Sequence, residues 1–309
     1  MIELESTFDL RRYGRTDLSV SALCVGTSGW TALEAPGATA VLDAAARSGI
    51  NFVDTSNIYA AGRAEQLLGA VLPGREFVLQ TKLDRDVETG DFGAAQMEIS
   101  LRESLQRLGR ESVPVLMLHD PENIGFDAAM APGGPVEALV AMRDRGVAQS
   151  IGISGGPAPM LRQFVETDLF DTLITHNRFT LLDQSADALL DATTARDMGI
   201  SNAAPFGAGI LTGDPRFAGS YGYAPIGTER LAAYRNMSEI CAEAGVPIGA
   251  AALQYSLRDR RIHSTVIGFS TPQRLTQACT WAATRIDDAV WERLEQELPP
   301  SSSWLDPVA

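Results

Sequence analysis

Eight times in succession a short apolar run is followed by a segment with helical periodicity. This alternation constrains the chain more than any other feature. ALCVGTS (22–28) precedes GATAVLDAAARSG (37–49), NFVDTS (51–56) precedes RAEQLLGAVL (63–72), and FVLQTKL (77–83) precedes GAAQMEISLRESLQRLG (93–109). VPVLMLHD (113–120) precedes PVEALVAMRDRG (135–146), AQSIGIS (148–154) precedes APMLRQFVET (158–167), and TLITHN (172–177) precedes SADALLDATTARDMG (185–199). ISNAAPF (200–206) leads through a Gly/Pro-rich stretch to TERLAAYRNMSEICAEAG (228–245), and STVIGF (264–269) precedes TPQRLTQACTWA (271–282). Runs of this length without polar alternation read as strands buried on both faces. Right-handed crossovers between them demand a parallel sheet, and eight units close it into a (β/α)8 (TIM) barrel.

An open doubly wound sheet is the structural rival, but its glycine fingerprint after the first strand is absent, VGTSGW standing there instead. No linker or shift of composition divides the 309 residues, which predicts one barrel domain over 1–309. LRRYGRTDLSVSAL reads as an N-terminal β-hairpin around Gly14 and Thr16 that closes the barrel bottom. The stretch Gly207–Gly227 is long for a compact fold and is expected to form a flap over the active face. The tail PPSSSWLDPVA is placed near the pocket rim, with Trp304 as its anchor.

Charge and cysteine content exclude several functions. A formal net charge of −14 argues against a nucleic-acid surface, which needs clustered Lys and Arg. It leaves room for an anionic cofactor held in one local cationic pocket. Cys24, Cys241 and Cys279 lie far apart with no CxxC or Cys/His grouping, which argues against a disulfide framework or a zinc site and for a reducing cytoplasm. No signal core or membrane-length apolar stretch is found, so a membrane association is not expected.

The chemistry-bearing residues cluster at strand ends. Asp54 closes NFVD, Tyr59 follows it by five residues, Lys82 lies in LQTKL and His119 closes VLMLH. Carboxyl ends of barrel strands converge on one face, where catalysis sits. Lysine and tyrosine ionise only near about 10.4 and 10 when unperturbed. A buried ammonium beside a phenol favours phenolate and is expected to lower the tyrosine pKa. Asp54 would pair with Lys82, and His119 would donate or accept at the substrate oxygen. Taken singly, an Asp–Lys pair can be a structural ion pair, a histidine a core residue and a tyrosine a core cap. All four together on one end of three consecutive strands point to proton transfer, and so to an enzyme.

These residues resemble the aldo-keto reductases over nearly the whole chain. The resemblance is carried by RRYGRTDLSVSALCVGT, GINFVDTSNIYAAGRAEQLLGAVL, VLQTK, LMLHDPE, GISGG, AAPFGAGILTG and VIGFSTPQRL. Within the family, HNRFTLLD (176–183) and NAAPFGAGILTG (202–213) look most like bacterial aldose dehydrogenases, with L-galactose and pyridoxal dehydrogenases nearby. The resemblance implies NAD or NADP bound without a Rossmann fold, and hydride transfer between a sugar lactol and nicotinamide to give the lactone. It makes Tyr59 the proton relay, Lys82 its modulator, Asp54 the lysine's partner and His119 the orienting group.

It further implies that Ser154 holds the carboxamide, while Gly155 stands where the family often has Asn. Thr175, His176 and Asn177 remain alternatives for the usual sixth-strand Gln, and Ala203 replaces a stacking aromatic. Pro205, Phe206, Gly207, Gly209 and Leu211 are expected around the pyrophosphate, and Gly268, Ser270, Arg274 and Gln277 around the adenosine end. Gly268 stands where many NADP-preferring relatives carry a second cation, which tilts the expectation slightly toward NAD. Trp30, Ile58, Tyr221 and Tyr223 are candidates for the substrate wall. The expected partner is a small sugar or carbonyl substrate, with the chain a monomer or weak homo-oligomer. A general NADPH-dependent aldehyde or ketone reductase, a pyridoxal dehydrogenase and a non-enzymatic, cofactor-binding regulatory subunit are the alternatives.

Overall fold

The apolar runs form the expected cylinder. A computed structural model describes residues 8–307. Residues 1–7 and 308–309, and with them the two ends of the predicted 1–309 domain, lie outside the described residues. Eight parallel strands close on themselves: β3 (Leu23–Gly26), β4 (Phe52–Asp54), β5 (Val78–Leu83), β6 (Val113–His119), β7 (Ala148–Gly155), β8 (Thr172–His176), β9 (Gly199–Ala203) and β12 (Ser264–Gly268), with β12 pairing β3. Registers such as Gly26↔Asp54, Asp54↔Gln80 and His119↔Ser154 bring the strand ends level, so their terminal side chains share one rim. Inside the cylinder Phe52, Val115, Met117, Ile174 and Val266 pack with Tyr13 from below.

β1 (Leu10–Arg12) and β2 (Ser19–Ser21) make the N-terminal hairpin. It plugs the amino-terminal end of the barrel. Tyr13 is fully buried with its hydroxyl 2.8 Å from Ser201 Oγ, and Arg11 donates to the Ile262 carbonyl at 2.8 Å. Gly14 has φ +58° and lies so close to the Met198–Gly199 backbone that a Cβ there would meet Gly199 N at 2.1 Å.

The outer layer comprises α1 (Ala35–Arg47), α2 (Arg63–Val71), α3 (Ala94–Leu108), α4 (Phe126–Met130), α5 (Pro135–Asp144), α6 (Ala158–Val165), α7 (Asp187–Thr194), α8 (Thr228–Glu243), α9 (Ile248–Leu257), α10 (Pro272–Ala283) and α11 (Asp288–Gln296). Among these α4, α9 and α11 go beyond the sequence expectation. The seventh crossover contains two helices, not one. α9 is apolar on most sides, with Gly249, Ala250, Ala251, Ala252 and Leu253 all buried, so it shows no period to read. The Trp281 ring of α10 presses on Gly249, where a Cβ would meet it at 2.5 Å. The flap is not irregular either. It holds two 3-10 turns, Gly207–Thr212 and Pro215–Phe217, and a small hairpin of β10 (Ser220–Tyr221) and β11 (Ala224–Pro225). No helix among the described residues is long and apolar enough to cross a membrane.

Gly14→Ala combines a left-handed backbone with a hard backbone clash, and we expect it to cost about 2–4 kcal/mol in urea denaturation. Gly219→Ala, at a site with open space and no positive φ, serves as the near-neutral control.

Candidate active site

Barrel geometry delivers the four strand-end residues to one cavity of about 910 Å³, lined by Asp54, Tyr59, Lys82 and His119 together with Ser154 and His176. That volume is at the large end of small-molecule sites. Lys82 is 1% exposed, and its ammonium has a definite partner in each direction. It lies 2.8 Å from the Asp54 carboxylate, 2.7 Å from the Thr55 carbonyl and 3.3 Å from the Tyr59 hydroxyl. Gln80, two residues earlier on β5, donates to Asp54 Oδ1 at 2.8 Å and fixes the carboxylate. Tyr59 reaches this point because the chain turns sharply after it, with Ala60 and Ala61 at φ +51° and +53°, a conformation costly for alanine. Local strain of this kind is held by surrounding structure and is common at functional sites.

Electrostatics here correct one expectation. Burial raises the Tyr59 phenol well above its ordinary value, and Lys82 pulls it down without reversing that shift. The phenol of the free protein is therefore protonated. Burial also works against the Lys82 charge, but the Asp54 carboxylate, aided by the hydrogen bond to the Tyr59 oxygen, outweighs it and holds the ammonium above the usual lysine range.

His119 has a partner that the sequence reading missed. Its Nδ1 lies 2.6 Å from Asp84 Oδ1, and Ser56 Oγ donates to Asp84 Oδ2 at 2.6 Å. The signal was available. Lys82 and Asp84 are two apart on one extended segment, so both face inward. Burial opposes a charged His119 ring, but Asp84 outweighs it, aided by Asp120 and opposed by Lys82, and the pKa is raised. The His119 and Tyr59 rings meet edge-on at 5.8 Å.

Of the three sixth-strand alternatives, only His176 lines the cavity; Thr175 and Asn177 are buried away from it. Burial and Arg178 push the His176 ring down to about 4, so it is neutral at ordinary pH. Polar atoms of Asp120, Glu122 and His176 lie within 4.8 Å of one another at the cavity wall. Glu122 Oε1 accepts from Gly156 N at 2.9 Å, while Oε2 is buried without a hydrogen-bond partner. It fits there because residue 155 is glycine: a Cβ would meet Oε2 at 2.7 Å.

Toward the other end the cavity is walled by Pro205, Phe206, Ala208, Gly209, Asp214 and Phe217 and by Gly268, Arg274, Gln277 and Trp281. Phe206 packs edge-on against Trp281 at 5.6 Å, which makes an apolar platform. Arg274 is exposed beside it and makes no ion pair among the described residues. Three expected cofactor contacts stand off this wall. Gly207 lies against the Tyr221 ring, Leu211 is fully buried in the core under the flap, and Ser270 precedes the helix cap that Thr271 supplies to Arg274 N at 3.3 Å.

The substrate-wall candidates divide evenly. Ile58 and Tyr223 line the cavity, and Tyr223 is 76% exposed at its mouth, 6.3 Å from the His176 ring. Trp30 does not, because it is fully buried and its Nε1 donates to the Phe269 carbonyl at 2.8 Å. Tyr221 is also a core residue, its hydroxyl donating to the Asn177 carbonyl at 2.6 Å. The tail does reach the rim, though not through Trp304, whose Nε1 donates to the nearby Pro299 carbonyl. Leu305 N donates to Asp183 Oδ2 at 2.6 Å, and Asp306 takes Arg178 Nε at 2.8 Å and Ala158 N at 2.7 Å.

A closed barrel thus carries at its carboxyl rim a phenol, an ammonium, a carboxylate and an imidazole around one cavity, an arrangement able to move a proton. The aldo/keto reductase family model matches residues 22–298, and the chain belongs to that family. It is thus an NAD(P)-dependent oxidoreductase. D-threo-aldose 1-dehydrogenase from Pseudomonas sp is 33% identical over 90% of this chain and 94% of its own length. Pyridoxal 4-dehydrogenase from Microbacterium luteolum is 29% identical (93% and 96% covered), and L-galactose dehydrogenase from Arabidopsis thaliana 30% (97% and 95%). Among solved structures, aldo-keto reductase AKR11C1 from Bacillus halodurans, in its holo form, shares the fold with a TM-score of 0.77 at 20% identity, over 94% of this chain and 96% of that one.

Removing Lys82 would strand a buried carboxylate. Lys82→Met is expected to cost roughly 3–5 kcal/mol at pH 7, read by urea denaturation.

Proposed function

We propose that this chain, acting as one barrel domain, oxidises the anomeric hydroxyl of an aldose to the lactone, with NAD preferred over NADP. The observation that carries the sugar reading is the polar wall beside Tyr59 and His119. Asp120, Glu122 and His176 offer acceptors for several hydroxyl groups, and the unpartnered Glu122 Oε2 lacks a donor that such a substrate supplies. A general reductase of apolar aldehydes would leave these groups unsatisfied, which is unfavourable. The similarity to an aldose and an L-galactose dehydrogenase supports the same class.

The residues present fit a nicotinamide nucleotide. The cavity is lined by the proton-transfer cluster, by Phe206, Ala208 and Gly209 of the turn after β9, by the Phe206–Trp281 platform and by Arg274, which makes no ion pair among the described residues. Ser154, Pro205, Phe206, Gly209, Gly268, Arg274 and Gln277 would hold it, and the bound cofactor would supply the hydride acceptor. Asp214 on the same wall, whose carboxyl is held down to about 2 chiefly by its hydrogen bonds with Arg216, would repel a 2′-phosphate and accept from a free ribose hydroxyl.

In this reading Asp54 keeps Lys82 charged, and Lys82 orients the Tyr59 hydroxyl and opposes the rise that burial imposes on it. Tyr59 then exchanges a proton with the substrate oxygen: it gives one in carbonyl reduction and must first lose its own in oxidation. Because its pKa is raised, oxidation is favoured by alkaline pH. His119 orients the same oxygen from the other side.

Tyr59→Phe should lower turnover by about 10²–10⁴-fold while nucleotide affinity, followed by fluorescence quenching, stays unchanged; activity near the native level would remove Tyr59 from this role. A spectrophotometric screen of aldoses, pyridoxal and simple aldehydes with both nucleotides tests the substrate class, and turnover confined to apolar aldehydes would overturn it. Asp214→Asn is expected to tighten NADP binding by roughly five-fold, about 1 kcal/mol, with NAD little changed.

A further inference from the structure

Behind His119 stands a buried acid that the reaction chemistry above does not use. Asp84 is 2% exposed and is gripped on several sides. Oδ1 meets His119 Nδ1 at 2.6 Å, Oδ2 accepts from Ser56 Oγ at 2.6 Å, and its main-chain N donates to Ser100 Oγ of α3 at 3.0 Å. Among the described residues no lysine or arginine pairs with it, because Lys82 is committed to Asp54. A carboxylate has only acceptor positions, so the proton in the 2.6 Å contact belongs to His119 Nδ1. That leaves Nε2 as the nitrogen available to the cavity.

We propose that Asp84 is a positioning residue, the centre of a Ser56–Asp84–His119 relay that orients the imidazole through Nδ1 and keeps it charged, so that Nε2–H is presented to the substrate oxygen beside Tyr59. The proposal rests on the oxidoreductase reading of this cavity. The carboxyl end of β5 and the residue after it then serve the reaction twice from one face: Lys82 supplies a cation to the phenol and Asp84 an anion to the imidazole. The other groups facing His119 are Asp120 (3.7 Å from Nε2), Lys82 on β5, the Tyr59 ring after β4 and the neutral His176 ring on β8. Asp120 is partly exposed and its charge is more screened, so Asp84 dominates.

The sign follows. His119 is charged below its pKa, and Asp84 moves that pKa up. Carbonyl reduction, which needs a donor at the oxygen, is therefore sustained to higher pH and lost as pH rises through the His119 pKa. Asp84→Asn removes the anion, so that loss moves to lower pH.

The test is nitrogen and proton NMR of the three histidines, joined to pH profiles of reduction. In the native protein His119 should carry a strongly deshielded Nδ1 proton and titrate above the ordinary value of about 6.5. In Asp84→Asn the midpoint should fall by about one unit or more, and the alkaline limb of kcat should move down with it. Ser56→Ala keeps the carboxylate and should leave the midpoint unchanged or higher. An unchanged midpoint in folded Asp84→Asn, a fall in Ser56→Ala as large as the one expected there, or a bare Nδ1 in the native protein would each overturn the relay. The native spectrum and Ser56→Ala decide the matter even where Asp84→Asn does not fold. The NMR readout needs no turnover, so its failure is separable from failure of the aldose reading.

Discussion

One buried ion pair organises the active face. An ammonium out of water is tolerable only with a close anion and full hydrogen bonding, and Lys82 has both in Asp54, the Thr55 carbonyl and the Tyr59 hydroxyl. Satisfying that charge fixes the ends of β4 and β5 relative to each other. It also holds the strained turn at Ala60 and Ala61, since the phenol that precedes them is one of the lysine's acceptors. Chemistry and local architecture thus depend on the same contact. The phenol remains protonated not because the lysine is absent or distant but because burial acts more strongly than one neighbouring charge.

The site has two ends of different character. Around Tyr59 and His119 the wall is acidic, with Asp120 and Glu122 near His176. Beyond Phe206 it becomes an aromatic platform edged by Arg274. Arg274 makes no ion pair among the described residues, so that end carries local positive charge on a chain that is strongly negative overall. Gly155 matters to the acidic end in a way that its neighbour Gly156 does not, for it makes room for the Glu122 carboxylate beside Ser154.

Much of this was legible in the sequence. The eight apolar runs gave the barrel because strands buried on both faces leave an unambiguous mark, and strand-end position alone brought Asp54, Lys82 and His119 together. Failures have physical reasons. α9 is buried nearly all round and carries no helical period, so the sequence assigns no element between 245 and 264. Trp30 and Tyr221 were read as substrate contacts because an aromatic on a loop has no sequence mark that separates a core plug from a pocket wall. Asp84 was overlooked although strand alternation places it beside Lys82, because a lone acid after a strand is usually solvated. His176 could be separated from Thr175 and Asn177 only once side-chain directions were known.

The segment at 304–306 has a consequence for how the molecule is assembled. Asp306 is tied to Ala158 and Arg178, Leu305 to Asp183, and the Leu305 side chain packs against Gly222 of the flap hairpin. None of these ties involves a barrel strand. All eight staves lie before residue 269, so a fragment ending near residue 300 would keep every one of them while losing the clasp on the lip.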